Sequence, residues 1–209
     1  MRHFLSGLAA AAAVLFSITC ATQAEEILIE GTRSKLSINS DIRLTGDMKK
    51  SFAFFKKNAE FYGAMFVNPP EDLVGAFWNT SSLPLAKHYA LKSCQSKSRT
   101  PSSCQAYATV LPKKHQSRPG RTLSQSGNLT FAAYRKQQTT GIYGAFAVAE
   151  NGDSGFSWNF ASKSQAEETA LKHCADDVQA SKSEASAHVL KNVLEANRSK
   201  CRVVHVTQP

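Results

Sequence analysis

The chain has 209 residues, 42% of them hydrophobic and 20% charged, with a formal net charge of +9, a balance that supports a globular core. Only Phe4–Ile18 is apolar over any length, and at about 15 residues it falls short of the roughly 20 that a bilayer span needs. The five cysteines include none at Cys-x-x-Cys spacing, which favours structural disulfides over metal ligation or redox chemistry.

At the N-terminus, Arg2 and His3, the apolar run, and the polar stretch Thr19–Ala24 follow the order of a secretory signal peptide. Thr22-Gln23-Ala24 places cleavage after Ala24, so residues 1–24 are expected to be removed. An uncleaved anchor is disfavoured by the short run, and a lipid anchor on Cys20 by Thr19 before it. Residues 25–51 read as a polar N-terminal arm.

The rest of the chain repeats itself. Phe52-Ala53-Phe54-Phe55-Lys56-Lys57 returns as Phe131-Ala132-Ala133-Tyr134-Arg135-Lys136, and Tyr62-Gly63-Ala64 as Tyr143-Gly144-Ala145. Gly75-Ala76-Phe77-Trp78-Asn79 matches Gly155-Phe156-Ser157-Trp158-Asn159, and Ala86, Ala90 and Cys94 match Ala166, Ala170 and Cys174. Two modules are expected, 52–111 and 131–209, separated by a basic linker over 112–130.

Within each module, Phe61–Val67 and Ile142–Val148 are rich in aromatic and β-branched residues and read as strands. Turn residues follow at Asn68–Asp72 and Glu150–Asp153, then a second strand ending at Trp78-Asn79 or Trp158-Asn159, which completes a hairpin. Ser82 and Ser162 are candidate N-caps. After them, alanines four residues apart give each helix one narrow face of small side chains that can lie close to a sheet. A third strand begins at Cys104 or Cys201. The fold class expected is α+β, as two β-β-α-β modules. If the copies share a fold, the equivalent disulfides are Cys94–Cys104 and Cys174–Cys201, stabilising by roughly 3 and 3.5 kcal/mol on a chain-entropy model. Val189, Leu190, Val193 and Leu194 predict an extra helix that packs as a lid on its own module.

The Tyr-Gly-Ala, Trp-Asn, Ala-x-x-x-Ala-Leu-x-x-Cys and Cys-strand pattern resembles a family of small exported bacterial domains of unknown function. Tyr143–Val206 fits it better than the first copy, which departs at Pro84 and in its shorter cysteine loop. The resemblance implies a bacterial periplasmic or secreted protein and brings no activity or catalytic residues with it.

Charge supplies the functional candidates. All sixteen acids lie at or before Asp72 or at or after Glu150, so the interval between them is acid-free and carries ten basic residues. Lys113, Lys114, Arg118, Arg121, Arg135 and Lys136 form a candidate surface for an anionic polymer such as lipopolysaccharide, nucleic acid or an anionic glycan, or another envelope component. Trp78 and Trp158 are candidate aromatic ligand contacts. His88, His115, His173, His188 and His205 are scattered, and no Gly-x-Ser-x-Gly, His-Glu-x-x-His or P-loop occurs. The reading is therefore a non-enzymatic exported binding protein with no cofactor and no metal. A small secreted hydrolase or nuclease, its site assembled by folding, is the alternative.

Overall fold

A computed structural model describes residues 25–115 and 117–209. The signal peptide reading of residues 1–24 lies outside the described residues. In chain order the elements are β1 (Ser34–Ile38), α1 (Gly46–Asn58), β2 (Gly63–Asn68), β3 (Leu73–Phe77), α2 (Leu83–Gln95) and β4 (Gln105–Pro112). They continue with α3 (Gln125–Gln137), β5 (Tyr143–Val148), β6 (Ser154–Phe160), α4 (Lys163–Glu184), α5 (Ala187–Asn192) and β7 (Arg202–Thr207). The protein is mixed α+β with two antiparallel sheets, in strand orders β1-β4-β2-β3 and β6-β5-β7.

The hairpins β2–β3 and β5–β6 form where turn chemistry separates two apolar runs. Pro69–Glu71 makes one turn of 3-10 helix, and Asp72 closes it in the left-handed region at φ 49°. The two acids of this turn organise what lies around it. Asp72 accepts from the backbone N–H of Asp47 and Met48 at 2.7 and 3.1 Å, which caps α1 in place of Thr45. Glu71 accepts from the N–H of Arg99 and Thr100 at 3.0 and 2.7 Å. Those bonds, with those from Thr100 and Ser98 hydroxyls, hold its carboxyl down at about 2. Ser82 and Ser162 cap α2 and α4 through their hydroxyls.

Helix meets sheet at backbone distance. A Cβ on Gly75 would lie 2.2 Å from Ala90 O and 2.3 Å from Cys94 N. One on Gly155 would lie 2.1 Å from Cys174 N and 2.7 Å from Ala170 O. Ala86, Ala90 and Cys94, like Ala166, Ala170 and Cys174, are completely buried. Each helix is then tied to the next strand by a disulfide, Cys94–Cys104 with Cα atoms 6.2 Å apart and Cys174–Cys201 at 6.1 Å.

Four features depart from the sequence reading. The expected β-β-α-β order omits a helix in front of each hairpin. Phe52–Lys57 belongs to α1 and Phe131–Lys136 to α3, so boundaries at 52 and 131 cut through helices. Met48 and Phe55 pack α1 on one sheet, while Phe131 and Tyr134 pack α3 on the other. The arm is not merely a leader, because Ser34–Ile38 pairs with Ala108–Pro112 at the edge of the first sheet. Part of the linker is interior: Leu123, Ser124 and Asn128 are buried, since this stretch carries the cap and first turns of α3.

The fourth correction concerns α5. The apolar stripe does not cover its own half of the chain. Val193 is fully buried with Leu85 and Tyr89 of α2, joined by Val189, Leu194 and Phe77. The Cys174–Cys201 loop is long enough to carry this stripe across, and α2 offers an apolar face that the first half covers only in part, through Phe77.

Other contacts lock the halves together. Asn79, left-handed at φ 56°, accepts from the N–H of Gln125 and Ser126 at 2.9 and 3.3 Å and so helps cap α3. The Ser81 hydroxyl donates to Glu150 O at 2.6 Å. Gly152, at φ +119°, has no room for a side chain because Asn79 O would lie 2.3 Å from its Cβ.

Two outcomes follow. Gly75→Ala and Gly155→Ala should each cost about 3 kcal/mol in urea unfolding, because the obstructing atoms are helix backbone and cannot rotate away. The segment 130–209 expressed alone and oxidised should remain disordered by circular dichroism, because it lacks the start of α3 and leaves Val193 without Leu85 and Tyr89. Cooperative folding of that segment would show that the interface between halves is dispensable.

Candidate binding surface

The fold breaks the basic candidates into three groups. Arg118 and Arg121 are answered by acids of the arm, Arg121 with Glu25 at 2.5 Å and Arg118 with Glu26 at 3.7 Å. The cause is backbone pairing: Leu28 N donates to Arg121 O at 2.8 Å and Arg121 N to Glu26 O at 2.7 Å, which lays the arm along the linker. The acid-free interval of the sequence is thus not acid-free in space. Arg135 and Lys136 are exposed in the last turn of α3, where the carbonyl end of the helix favours cations.

Lys113 and Lys114 form the third group. They are exposed where β4 ends, and Lys113 N donates to Arg33 O at 2.8 Å. The register Ser34↔Pro112 and Lys35↔Leu111 places Arg33 opposite Lys113, with Lys35 next along the same face. Gly31, Thr32, Arg33, Lys113 and Lys114 enclose a shallow concavity of about 210 Å³. Among the described residues no carboxylate lies within ion-pair distance of Arg33, Lys35, Lys113 or Lys114. The sequence reading missed Arg33 and Lys35, which lie in the arm outside the acid-free interval.

This basic corner is held by a polar clasp. The Tyr62 hydroxyl donates to Glu30 Oε2 at 2.6 Å, and Glu30 Oε1 lies 2.6 Å from His115 Nδ1. Glu30 immediately precedes Gly31–Arg33 and His115 immediately follows Lys113–Lys114, so the clasp fixes both walls of the concavity. Burial, then the neighbouring Glu30 carboxylate, push the Tyr62 hydroxyl well above its ordinary pKa. Tyr62 is only 1% exposed. His115 is one of the scattered histidines of the sequence, and only tertiary folding brings Glu30 and Tyr62 to it.

The two tryptophans have different surroundings. Trp78 packs against Phe54 and Phe55 of α1 and belongs to the core, because α1 lies over it. Trp158 keeps 40% of its surface exposed and stacks obliquely on Phe156 at 5.4 Å.

A larger cleft of about 410 Å³ lies between the halves, lined by Ser81, His88, Arg121, Glu150, Arg198 and Arg202 among others. It is an ion-pair seam. Arg198 bridges Glu195 at 2.7 Å and Glu150 at 2.8 Å, while Glu195 also receives His88 at 2.9 Å and Lys92 at 3.0 Å. Hydrogen bonds from His88, Arg198 and Lys92 hold the Glu195 carboxyl down at about 2. Among the described residues, no group of three or more His, Cys, Asp and Glu side chains is placed to hold a metal ion. No helix among them is long and apolar enough to cross a membrane.

These features define a mixed α+β protein, twice disulfide-bonded, with a basic corner that has no ion-paired carboxylate among the described residues. No protein-family model, curated protein or solved structure matches the chain.

The seam makes a pH prediction. Because the Glu195 carboxyl sits below the ordinary carboxylate value of 4.5, its contribution is complete above about pH 4.5 and is lost as pH falls toward 2. Glu195→Gln should lower stability by about 1 kcal/mol at pH 7. It should also make unfolding less pH-dependent between 4.5 and 2, as read by urea titration at each pH.

Proposed function

We propose that this is an exported, non-enzymatic binding protein of the bacterial envelope or secreted space, built from two copies of one module and contacting an anionic polymer through Arg33, Lys35, Lys113 and Lys114. The observation that carries the reading is the basic corner itself: four cations on one end of a sheet, with no carboxylate answering them among the described residues. Elsewhere the cations of the candidate strip lie within ion-pair distance of an acid, Arg121 closely and Arg118 at the 3.7 Å outer limit, or stand at a helix end. A rigid sheet edge bearing fixed cations suits a line of phosphates or sulfates, where each contact releases a counterion.

The repeat is supported by the shared element orders α1-β2-β3-α2-β4 and α3-β5-β6-α4-β7, with α5 inserted in the second, and by glycines and disulfides at matched places. The Tyr-Gly-Ala to Cys-strand pattern supports placing the modules with the small exported bacterial domains they resemble. Export is further supported by the residue order at 1–24 and by two disulfides, which persist in oxidising compartments. The arrangement nearest to acid–base machinery is Glu30, His115 and Tyr62. With Tyr62 buried and both carboxylate oxygens engaged, it serves to position the corner.

Binding of the mature protein to polyphosphate or heparin should weaken steeply between about 50 and 200 mM salt. The triple substitution Arg33→Ala, Lys113→Ala, Lys114→Ala should reduce the slope of log K against log salt by about 2. Arg118→Ala with Arg121→Ala should change it little. A slope unchanged by the triple substitution would place the contact elsewhere.

A further inference from the structure

Among the described residues the first sheet has four strands and the second three. In the first, β4 lies between β2 and β1, so both of its edges are paired. In the second, β7 pairs with β5 on one side only and ends the sheet. The positions correspond: Gly63 and Ala64 of β2 pair with Val110 and Thr109, and Gly144 and Ala145 of β5 pair with Thr207 and Val206. Beside β4 those residues receive Leu36 and Ser37 of β1. Beside β7 they receive no strand among the described residues.

The space there is a groove. A concavity of about 520 Å³ runs along β7, lined by Arg202 through Val206 and by Gln208. The Glu25–Arg121 pair forms part of its wall, as do Lys163 and Glu167 from the start of α4. Residues Val203 to Thr207 are all only part-buried. An edge strand left open in this way presents unpaired backbone N–H and C=O groups to any extended chain that fits.

The groove walls carry three cations, Arg121, Lys163 and Arg202, against the carboxylates of Glu25 and Glu167. Lys163 and Arg202 are each 52% exposed, and their nearest carboxylates lie at 3.8 and 3.7 Å, the outer limit of ion pairing. Both cations can turn toward an incoming carboxylate at little cost.

We infer that β7 accepts an extended acidic segment of a partner protein as a fourth strand, in the place that β1 fills beside β4. Main-chain hydrogen bonds to β7 supply the binding, and carboxylates on the segment meet Lys163 and Arg202. The inference rests on reading the two halves as copies, and it concerns a surface distinct from the Arg33, Lys113, Lys114 corner.

The probe is a fluorescein-labelled Glu-Val-Glu-Val-Glu-Val-Glu peptide, followed by polarisation against the full mature protein. Two further versions carry backbone N-methyl groups on the glutamates or on the valines. Strand addition engages one alternate set of peptide N–H groups, so one methylated version should bind at least tenfold more weakly and the other nearly unchanged. Lys163→Glu with Arg202→Glu should weaken the parent peptide at least tenfold while leaving the melting temperature and the salt slope for polyphosphate unchanged. The Arg33→Ala, Lys113→Ala, Lys114→Ala variant should bind the peptide normally. Failure of the parent peptide to bind, or equal binding of both methylated versions, would overturn the inference. A dimer by light scattering, with exchange of β7 amides slowed before peptide is added, would also overturn it by showing a second copy in the groove.

Discussion

The structure depends on two places where a helix backbone rests against a strand with no side chain between. At Gly75 the carbonyl of Ala90 and the amide of Cys94 come so close that even a methyl group is excluded, and Gly155 stands in the same relation to Ala170 and Cys174. Such proximity requires small residues along the whole contacting face, which Ala86 and Ala90, and Ala166 and Ala170, provide. It also brings each cysteine sulfur within reach of the strand that follows, so that close packing and crosslink reinforce each other. In the second sheet the face under α4 is lined by Ala145, Ala147 and Ala149, and the aromatic bulk goes to the opposite face, where α3 brings Phe131 and Tyr134 to Phe146. In the first sheet Phe61 and Tyr62 pack beside Ala86 and Ala90 of α2, while α1 brings Phe55 to the other face.

The outer face of α2 shows Leu85 and Tyr89, which the first half of the chain covers only in part, through Phe77. The second half supplies Val193 from the end of α5, and the ion-pair seam around Glu195 closes over the contact. Asn79 fixes the same interface from another direction by capping a helix of the opposite half. The halves have separate sheets and separate disulfides, but neither has a complete surface of its own.

Charge follows the same logic of distant supply. Arg118 and Arg121 lie in an acid-free stretch of chain, and Glu25 and Glu26 reach them because the arm pairs with the linker through its backbone. Glu30, a little further along the arm, enters between Tyr62 and His115 and positions the cations that stay unmatched. One short segment thus neutralises part of the basic surface and presents the remainder. By adding β1 to the first sheet it also makes the open edge of β7 in the second a point of asymmetry.

The hairpins, the helices after Ser82 and Ser162, the third strands and the small-residue faces are legible in the amino-acid sequence alone. These are local matters: alternation, turn residues, caps and a spacing of four decide them within a dozen positions. The helices α1 and α3 escaped it because Phe52–Lys57 and Phe131–Lys136 were legible as a matched pair but are too short to show a helical period, and their first turns differ between the halves. Which apolar face α5 covers is settled only on folding, because its stripe fits either half and the choice falls to the exposed surface of α2. Which cations remain unpaired is likewise settled on folding, because Coulomb attraction depends on distance in space, and folding moves the acids of the arm next to bases almost a hundred positions away.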